Sequence, residues 1–241
     1  MQLNADLGET EVGQAADTDA PLMPLLDQAN IACGYHAGDL STMQHTVALA
    51  LANNVSIGAH PSYPDREHFG RRSMSIPKER LSALIHDQID TLEAIAQAQG
   101  ASIDYVKPHG ALYNDMMADP ALLETVLHCI SRYPRPLKLM VLANVDREQT
   151  LALAKQHSVD LLFEGFADRA YNDDGSLVSR QQPNAVLDAP LALNQAKQLI
   201  QSGNVTTVSG NTLSLNVDSL CVHGDNPAAL LLAKAIRDLI T

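Results

Sequence analysis

Ionisable side chains recur where the apolar runs of this chain end. Six clusters carry them, and they read NADLGE, ACGYHAGD, GAHPSYPD, VKPHGALYND, EGFADRAYNDDG and CVHGD. Carboxylates, imidazoles and a lysine amine are the groups that transfer protons, hold divalent metals and stabilise developing negative charge in enzymes. The clusters therefore indicate acid–base chemistry or metal-assisted hydrolysis, provided that the fold brings them together.

The first cluster places Asn4, Asp6 and Glu9 around a glycine. Alternation along a strand would put Asn4 and Asp6 on the same side, so that the carboxylates could hold a metal or act as a base. The structural alternative is that Asp6 and Glu9 only cap the next helix or face water, because acidic groups near a helix start interact favourably with its dipole. This cluster alone leaves both interpretations open.

The second and third clusters contribute His36, Asp39 and His60, each with glycines nearby that let the backbone approach a ligand closely. An isolated histidine is more often structural, but three similar clusters favour a binding site. If Asp6, His36 and His60 bind a divalent metal such as Mg²⁺, the metal would activate a water by lowering its pKa. The sequence does not choose between a metal and a protein base.

Lys107 and His109 flank Pro108, which restricts the backbone, and strand alternation brings both side chains to one face. A lysine inside an apolar strand is costly unless it is paired or used. We therefore expect Lys107 to act in the site, where it would stabilise developing negative charge.

The fifth cluster contains Glu164, Asp168 and Arg169. Arg169 could grip a carboxylate with two parallel hydrogen bonds, and Asp168 would belong to the same binding set. The structural alternative is an Asp168–Arg169 pair that braces the loop.

The last cluster contains His223 and Asp225, which come shortly before the helix-start signal Asn226-Pro227. A helix N-terminus is a favourable place for an anion. A cap formed by Asp225 or Asn226 would explain part of the pattern, but it would not explain His223.

The elements that must position these clusters alternate between short branched apolar runs and longer stretches of helical period, which is typical of βα units and a parallel sheet. We predict about seven strands, at Gln2–Leu7, Gln28–Cys33, Val55–Ala59, Tyr105–Pro108, Lys138–Ala143, Leu161–Phe166 and Ser219–His223. Because polar clusters follow nearly every strand, an α/β fold with a closed or nearly closed (β/α) barrel fits better than an open doubly wound sheet. We expect one catalytic domain over residues 1–241.

Two local patterns refine this outline. Helix-start signals occur around Pro77, at Asp119-Pro120 and at Asp188–Pro190. The segment Val205–Val217 alternates like a β-hairpin around Gly210-Asn211, although a loop is the other interpretation.

Composition restricts the function classes. A net charge of −12 and a pI near 5.0 oppose binding to nucleic acid. No apolar run is long enough for a membrane span and the N-terminus lacks a signal pattern, so we expect a cytoplasmic protein without membrane contact. Positive charge is locally concentrated at Arg66, Arg71 and Arg72.

Cysteine usage and missing motifs narrow the chemistry further. The three widely separated cysteines suggest buried free thiols and no disulfide framework. The sequence contains no GxxxxGK[ST], GxGxxG, HExxH or GxSxG pattern. Any ATP chemistry must therefore use another binding mode or another chain.

Taken together, the runs NADLGE, ANIACGYHAGD, IGAHPSYPDREHFGRRSM, YVKPHGALYND, EGFADRAYNDDGSLVSR and SLCVHGD resemble the LamB/YcsF family, and the likeness covers nearly the whole chain. Tyr35 stands where the family commonly has phenylalanine, a mild departure.

The resemblance implies the A subunit of a 5-oxoprolinase, which acts with the B and C subunits to hydrolyse 5-oxo-L-proline to L-glutamate while ATP becomes ADP and phosphate. The fold it implies is similar to the deformed seven-stranded barrel of glycoside hydrolase and deacetylase relatives. On this basis we expect Asp6 or His60 to activate the attacking water. Lys107 would stabilise negative charge that develops on the lactam oxygen or on the phosphate. His109 or His223 would protonate the departing nitrogen. Arg169 would anchor the substrate carboxylate, and the other residues expected to bind substrate are Asn4, Glu9, His36, Asp39, Asp168 and Asp225.

Two rival functions remain at this point. The Asp and His groups would also suit a metal-dependent deacetylase or amidohydrolase that needs no ATP. A non-catalytic module that binds a small carboxylate is the other rival, although so many potential acids and bases argue against it.

Overall fold

The computed structural model describes residues 1–9, 19–223 and 229–240 of the chain, and for His223 the backbone alone. In these ranges the strands are β1 Gln2–Leu7, β2 Gln28–Ala32, β3 Ser56–His60, β4 Tyr105–Val106, β5 Lys138–Leu142, β6 Leu161–Phe166, β7 Asn204–Thr206, β8 Thr212–Ser214 and β9 Ser219–His223. All but β7 and β8 pair in parallel in the order β1-β2-β3-β4-β5-β6-β9, and β9 closes the barrel onto β1. The predicted closed barrel is confirmed.

Helices connect and cover these strands. They are α1 Leu40–Ala52, α2 Lys78–Ala98, α3 Gly110–Ala118, α4 Pro120–Ser131, α5 Arg147–Gln156, α6 Ala189–Ser202 and α7 Ala229–Ile240. Short 3-10 turns span Met23–Leu25 and Arg66–His68. No helix in the described ranges combines the length and apolar character that crossing a bilayer would require.

The predicted helix starts agree with the structure where it describes them. The side chains of Asp39, Asp119 and Asp188 accept hydrogen bonds from backbone N–H groups of the first turns of α1, α4 and α6, which satisfies donors that a helix leaves unpaired. Pro77 is the N-cap residue of α2. The predicted start at Asn226-Pro227 lies outside the described residues.

The core lies between the barrel and its helices. Helix α2 shows why the sequence folds this way, because Leu81, Ile85, Ile89 and Leu92 recur at helical spacing and are all almost fully buried. Burying each such side chain contributes about 1.5–3 kcal/mol. The apolar faces of the helices thus fix the barrel, and the barrel fixes where its strands end.

Several strand boundaries differ from the prediction by one or two residues. β2 ends at Ala32, β5 ends at Leu142, and β3 runs from Ser56 to His60. β4 stops at Val106 and does not reach Pro108. Proline has no N–H group to donate to a neighbouring strand, which disfavours its inclusion in a sheet. The predicted hairpin is confirmed as the antiparallel pair β7–β8.

The interior of the barrel is closely packed beside Gly58 of β3. A Cβ atom there would overlap the ring of Tyr105. The ring cannot easily move, because the Tyr105 hydroxyl donates a 2.6 Å hydrogen bond to Asn30 Oδ1. Glycine is therefore required at this position by close approach.

We predict that Gly58→Ala lowers the free energy of unfolding by about 3 kcal/mol, the upper range for overpacking a core. The matched control is Gly165→Ala on β6, whose Cβ would lie 2.9 Å from the side chain of Val217. Since Val217 is only partly buried, the control should cost about 1 kcal/mol. Urea unfolding of both variants measures the difference, and equal stability of Gly58→Ala and wild type would contradict this packing.

Candidate active site

A cavity of about 500 Å³ opens at the carboxyl ends of the strands, within the size range of small-molecule sites. The predicted side chains that line it are those of Asp6, Glu9, His60, Lys107, His109 and Arg169. These residues come from distant parts of the sequence, and the barrel brings them together because parallel strands deliver their ends to one mouth.

Lys107 is the central cation of the inner wall. Its ammonium lies 2.7 Å from Asp6 Oδ1 and 2.7 Å from Glu164 Oε1. Lys107 is 2% exposed and Glu164 is 0% exposed. The hydroxyl of Tyr113 donates to the other Glu164 oxygen at 2.9 Å. The lysine is therefore held between two carboxylates in a largely dry environment.

The electrostatics of this wall keep the ammonium charged. Burial opposes the charge, but the nearby carboxylates of Asp6 and Glu164 outweigh it and raise the pKa of Lys107 well above its usual value. Burial also raises the pKa of the Cys221 thiol, whose sulfur accepts from Lys107 Nζ at 3.4 Å. Cys221 is thus a neutral neighbour and not a thiolate nucleophile. The described cysteines are free and buried, as expected.

A buried polar layer beneath the cavity orients Asp6. Asn30 Nδ2 donates to Asp6 Oδ1 and to Asn4 Oδ1, both at 2.8 Å. Asn4 Nδ2 in turn donates to Ser219 Oγ at 2.8 Å. Strand register explains the contact, since Asp6 lies opposite Asn30 in the pairing of β1 with β2. Asn4 was predicted to bind substrate, but the structure places it below Asp6, where it supports the carboxylate.

Glu9, His36, His60 and His109 form a second group, which we name the histidine cluster. One ligand atom from each lies within 4.8 Å of all the others. Glu9 Oε1 is 3.2 Å from His36 Nε2 and 3.3 Å from His109 Nδ1. His60 Nε2 is 2.9 Å from His109 Nδ1 and 3.4 Å from Asp6 Oδ2. The cluster therefore adjoins the Lys107 wall through Asp6.

Hydrogen bonds to backbone carbonyls assign the tautomers of two of these rings. A carbonyl only accepts, so His60 Nδ1 donates to Lys107 O at 2.6 Å and His109 Nε2 donates to Phe69 O at 2.9 Å. The remaining nitrogens, His60 Nε2 and His109 Nδ1, face each other. When both rings are neutral, two lone pairs meet, and a shared proton or a cation is needed between them.

Burial favours neutral rings in this cluster. It lowers the pKa of His36 and of His109 well below the usual value, and the neighbouring imidazoles lower both further. The carboxylates of Asp6 and Glu9 act in the opposite direction but do not overcome burial at His109. The donor set of three imidazoles and one carboxylate fits a borderline metal such as Zn²⁺ better than Mg²⁺, which prefers oxygen ligands.

The remaining predicted residues lie elsewhere or beyond the described residues. Asp39 lies outside the cavity lining, where its carboxylate accepts from Thr42 N and Ser41 Oγ at 2.8 Å, so it has the capping role that the sequence left open for acidic residues. Asp168 is buried, and it too is outside the lining of the cavity. The side chain of His223 and all of Asp225 fall outside the described residues.

The predicted metal ligands differ from the observed group. Two of the three predicted ligands, His36 and His60, belong to the histidine cluster. The third, Asp6, lies next to the cluster, and the other members are Glu9 and His109. The reason is that Asp6 Oδ1 is already engaged by Lys107 and Asn30.

Sequence reasoning missed several residues of the site. Glu164 was noted in its cluster but not placed in the site, and Tyr113, Phe69, Arg71 and Arg180 were not assigned to it, although all four line the cavity. The motif YND contains Tyr113 and could have signalled it. No local signal joins Arg71 to Arg180, which are brought together only by the fold.

The fold and this site define an α/β-barrel protein with a buried acid–base site, adjoined by a cluster of potential metal ligands, at the carboxyl ends of its strands. The sequence profile of the LamB/YcsF family matches residues 1–241. The chain belongs to the LamB/YcsF family.

Similar proteins agree with this assignment. The chain is 48% identical over 241 residues to the A subunit of 5-oxoprolinase from Pseudomonas fluorescens, covering all of this chain and 96% of the relative. It is 46% identical over 238 residues to the A subunit of 5-oxoprolinase from Vibrio cholerae, covering 98% of this chain and 96% of the relative. The crystal structure of the lactam utilization protein from Thermus thermophilus superposes with a TM-score of 0.89 at 33% identity, covering all of this chain and 95% of that one.

A more distant similarity concerns the fold alone. A GH113 β-1,4-mannanase superposes with a TM-score of 0.57 at 9% identity, covering 99% of this chain and 97% of that one.

We predict that Lys107→Met destabilises the protein by about 3–5 kcal/mol near neutral pH, because it leaves two buried carboxylates without their cation. The loss should shrink as the pH falls, since protonation of either carboxylate removes the unpaired charge, by up to about 1.4 kcal/mol per pH unit. Urea unfolding at about pH 8 and about pH 5.5 checks this. A loss that is independent of pH would contradict the ion-pair arrangement.

Proposed function

We propose that this chain is the A subunit of an ATP-dependent 5-oxoprolinase, a hydrolase that opens the lactam of 5-oxo-L-proline to give L-glutamate. Membership of the LamB/YcsF family and the names of the similar proteins support the substrate. The observation that carries the chemistry is the single cavity in which Lys107, Asp6 and the facing imidazoles of His60 and His109 meet.

A five-membered lactam is a poorly reactive amide, so its hydrolysis needs both an activated carbonyl and a protonated nitrogen. ATP is proposed to activate the carbonyl by phosphorylating its oxygen. Lys107 would stabilise negative charge on that oxygen or on the phosphate, because its ammonium is permanently charged in the buried wall. Arg169, which lines the same cavity, would hold the substrate carboxylate.

Proton transfer falls to Asp6, His60 and His109. Asp6 Oδ2 and His60 Nε2 lie 3.4 Å apart, so either can accept the proton of the attacking water. His109 Nδ1 lies 2.9 Å from His60 Nε2 and can receive that proton for delivery to the ring nitrogen. Protonation of the nitrogen determines that the C–N bond breaks and that the lactam does not simply re-form.

In an alternative state of the same groups, the histidine cluster holds a divalent cation through Glu9, His36, His60 and His109. The facing lone pairs of His60 and His109 support this, because a cation removes their repulsion. The lone pairs of His60 and His109 are then occupied, and Asp6 Oδ2 is the group that accepts the proton of the water. Such a cation would supply Lewis acidity to a bound water.

We further propose that the chain works in the cytoplasm as part of a complex with the B and C subunits of 5-oxoprolinase, and that one barrel domain spans residues 1–241. The proposed complex rests on the names of the similar proteins, which identify each of them as one subunit of a 5-oxoprolinase.

Asp6→Asn is expected to lower glutamate formation by the complex reconstituted with the B and C subunits by about 10²–10⁴-fold, the usual contribution of a positioned acid–base group. Asp39→Asn is the matched control, because that carboxylate caps α1 outside the cavity; its rate should stay within about threefold and its stability should change little, since asparagine is as good an N-cap as aspartate. Glutamate is measured directly. Full activity of Asp6→Asn would remove Asp6 from the mechanism.

The metal proposal has its own test. Purified wild-type chain, loaded with Zn²⁺ and freed of excess, is expected to retain about one ion per chain by mass spectrometry. His60→Gln and Glu9→Gln should lose most of it, whereas His45→Gln on the exposed face of α1 should not. Equal metal content in all variants would show that the histidine cluster is not the metal site.

The histidine cluster also favours a second candidate, a metal-dependent amidohydrolase that needs no ATP. Acetate release from an acetylated sugar by the isolated, metal-loaded chain would support that candidate. Glutamate formation that depends strictly on ATP and the partner subunits would exclude it.

A further inference from the structure

Part of the cavity lining is positively charged, although the whole chain has a net charge of −12. Three arginines line the cavity, Arg71, Arg169 and Arg180, which we name the arginine cluster. Of the three basic residues that follow β3, Arg66 donates to the carbonyls of Gly34 and Gly38 and Arg72 pairs with Asp65 at 2.9 Å. Arg71 is the member of that group that lines the cavity.

The loop after β6 fixes the other two members. Arg169 is 6% exposed and donates to the carbonyls of Val178 and Ala185 at 2.6 and 3.3 Å. These bonds brace the segment that carries Arg180. Because a guanidinium has five N–H donors, these two bonds leave Arg169 donor capacity for a ligand. The bracing role and a binding role are therefore compatible.

The three cations are close enough to disfavour one another. Burial lowers the pKa of Arg169 to about 10, and the charges of Arg180 and Arg71 contribute to the lowering, against Asp168. Neighbouring like charges disfavour one another, and an anion bound among them reduces that repulsion whatever else each guanidinium contacts. Arginine also suits this task, because its planar fork matches phosphate and carboxylate oxygens.

We propose that Arg71 and Arg180 bind the phosphoryl group of a phosphorylated lactam, while Arg169 faces its carboxylate. This proposal rests on the proposed function and names the species that the chain receives. Such a ligand carries a charge of about −3 near neutral pH, with about −2 on the phosphoryl group. Three guanidinium groups supply enough N–H donors for both anionic groups of this ligand, whereas the free lactam offers them one carboxylate.

The chemistry balances without a nucleotide in this cavity. A partner subunit transfers the phosphoryl group of ATP to the lactam oxygen, which gives ADP and an O-phosphoryl imidate. In this chain, the oxygen of one water bonds to the imidate carbon and both its protons pass to the ring nitrogen. The C–N bond then breaks and leaves an acyl phosphate with a free amine. A second water replaces the phosphate and releases glutamate.

The absence of GxxxxGK[ST] from the sequence agrees with this division of labour, because the familiar phosphate-binding loop for ATP is missing from the chain. The cavity volume of about 500 Å³ also leaves room for a phosphoryl group beside a small lactam. The arginine cluster would thus retain the activated intermediate until water has attacked it.

The decisive experiment measures glutamate formed per ATP hydrolysed by the complex with the B and C subunits. We expect Arg71→Gln/Arg180→Gln to lower this ratio by at least about tenfold, because the variant loses charge-assisted hydrogen bonds from two guanidinium groups. ATP hydrolysis itself should continue, because the partner still makes the intermediate. Arg132→Gln, an exposed arginine at the end of α4, is the matched control and should keep the wild-type ratio.

An unchanged ratio in the double variant, with or without a slower rate, would overturn the proposal and leave the proposed function standing. If the wild-type complex formed no glutamate, the proposed function itself would fail. Calorimetry of the isolated chain separates phosphate from carboxylate as the ligand of Arg71 and Arg180. The double variant should weaken binding of inorganic phosphate by about tenfold and that of 5-oxoproline by less than about threefold; the reverse pattern would assign these arginines to the carboxylate and overturn the proposal.

Discussion

The buried ion pairs of Lys107 are the interaction on which the site depends. An ammonium that is almost fully buried persists only because Asp6 and Glu164 each lie 2.7 Å from it. The three side chains come from β1, the segment after β4, and β6, so only a closed barrel can bring them together. The same contact fixes Asp6 Oδ1, and it leaves Oδ2 directed at His60. Closure of the barrel therefore determines both the pairing of Lys107 with its two carboxylates and the orientation of Asp6.

Two groups of opposite chemistry share the cavity with this wall. The histidine cluster gathers buried imidazoles, two of which have tautomers set by backbone carbonyls, and it is suited to carrying a proton or a cation. The arginine cluster, whose Arg71 lies 4.9 Å from the centroid of the Phe69 ring, is suited to anions. A substrate in the cavity would meet a proton-transfer group and an anion-binding group at once. This arrangement is what hydrolysis of an activated lactam requires, because bond cleavage and charge stabilisation must occur in the same place.

The sequence predicted the barrel and most of the inner wall because these features leave local traces. Alternating βα periods indicate strands, and polar residues at strand ends indicate the mouth, which is why Asp6, His60, Lys107 and His109 could be chosen. Asp39 could not be separated from them, since a helix cap and a ligand have the same residue type at the same place. The meeting of Arg71 with Arg180 was not predictable, because it depends on how two loops far apart in the chain fold over the cavity.

The substrate's position tests the central claim most directly. In a crystal structure of this chain with 5-oxoproline, we predict the lactam oxygen within hydrogen-bonding distance of Lys107 Nζ, about 2.7–3.2 Å, and the carboxylate facing Arg169. The attacked carbon should then lie beside Asp6 and His60. A lactam bound outside this cavity, or one whose carbonyl faces away from Lys107, would contradict the account.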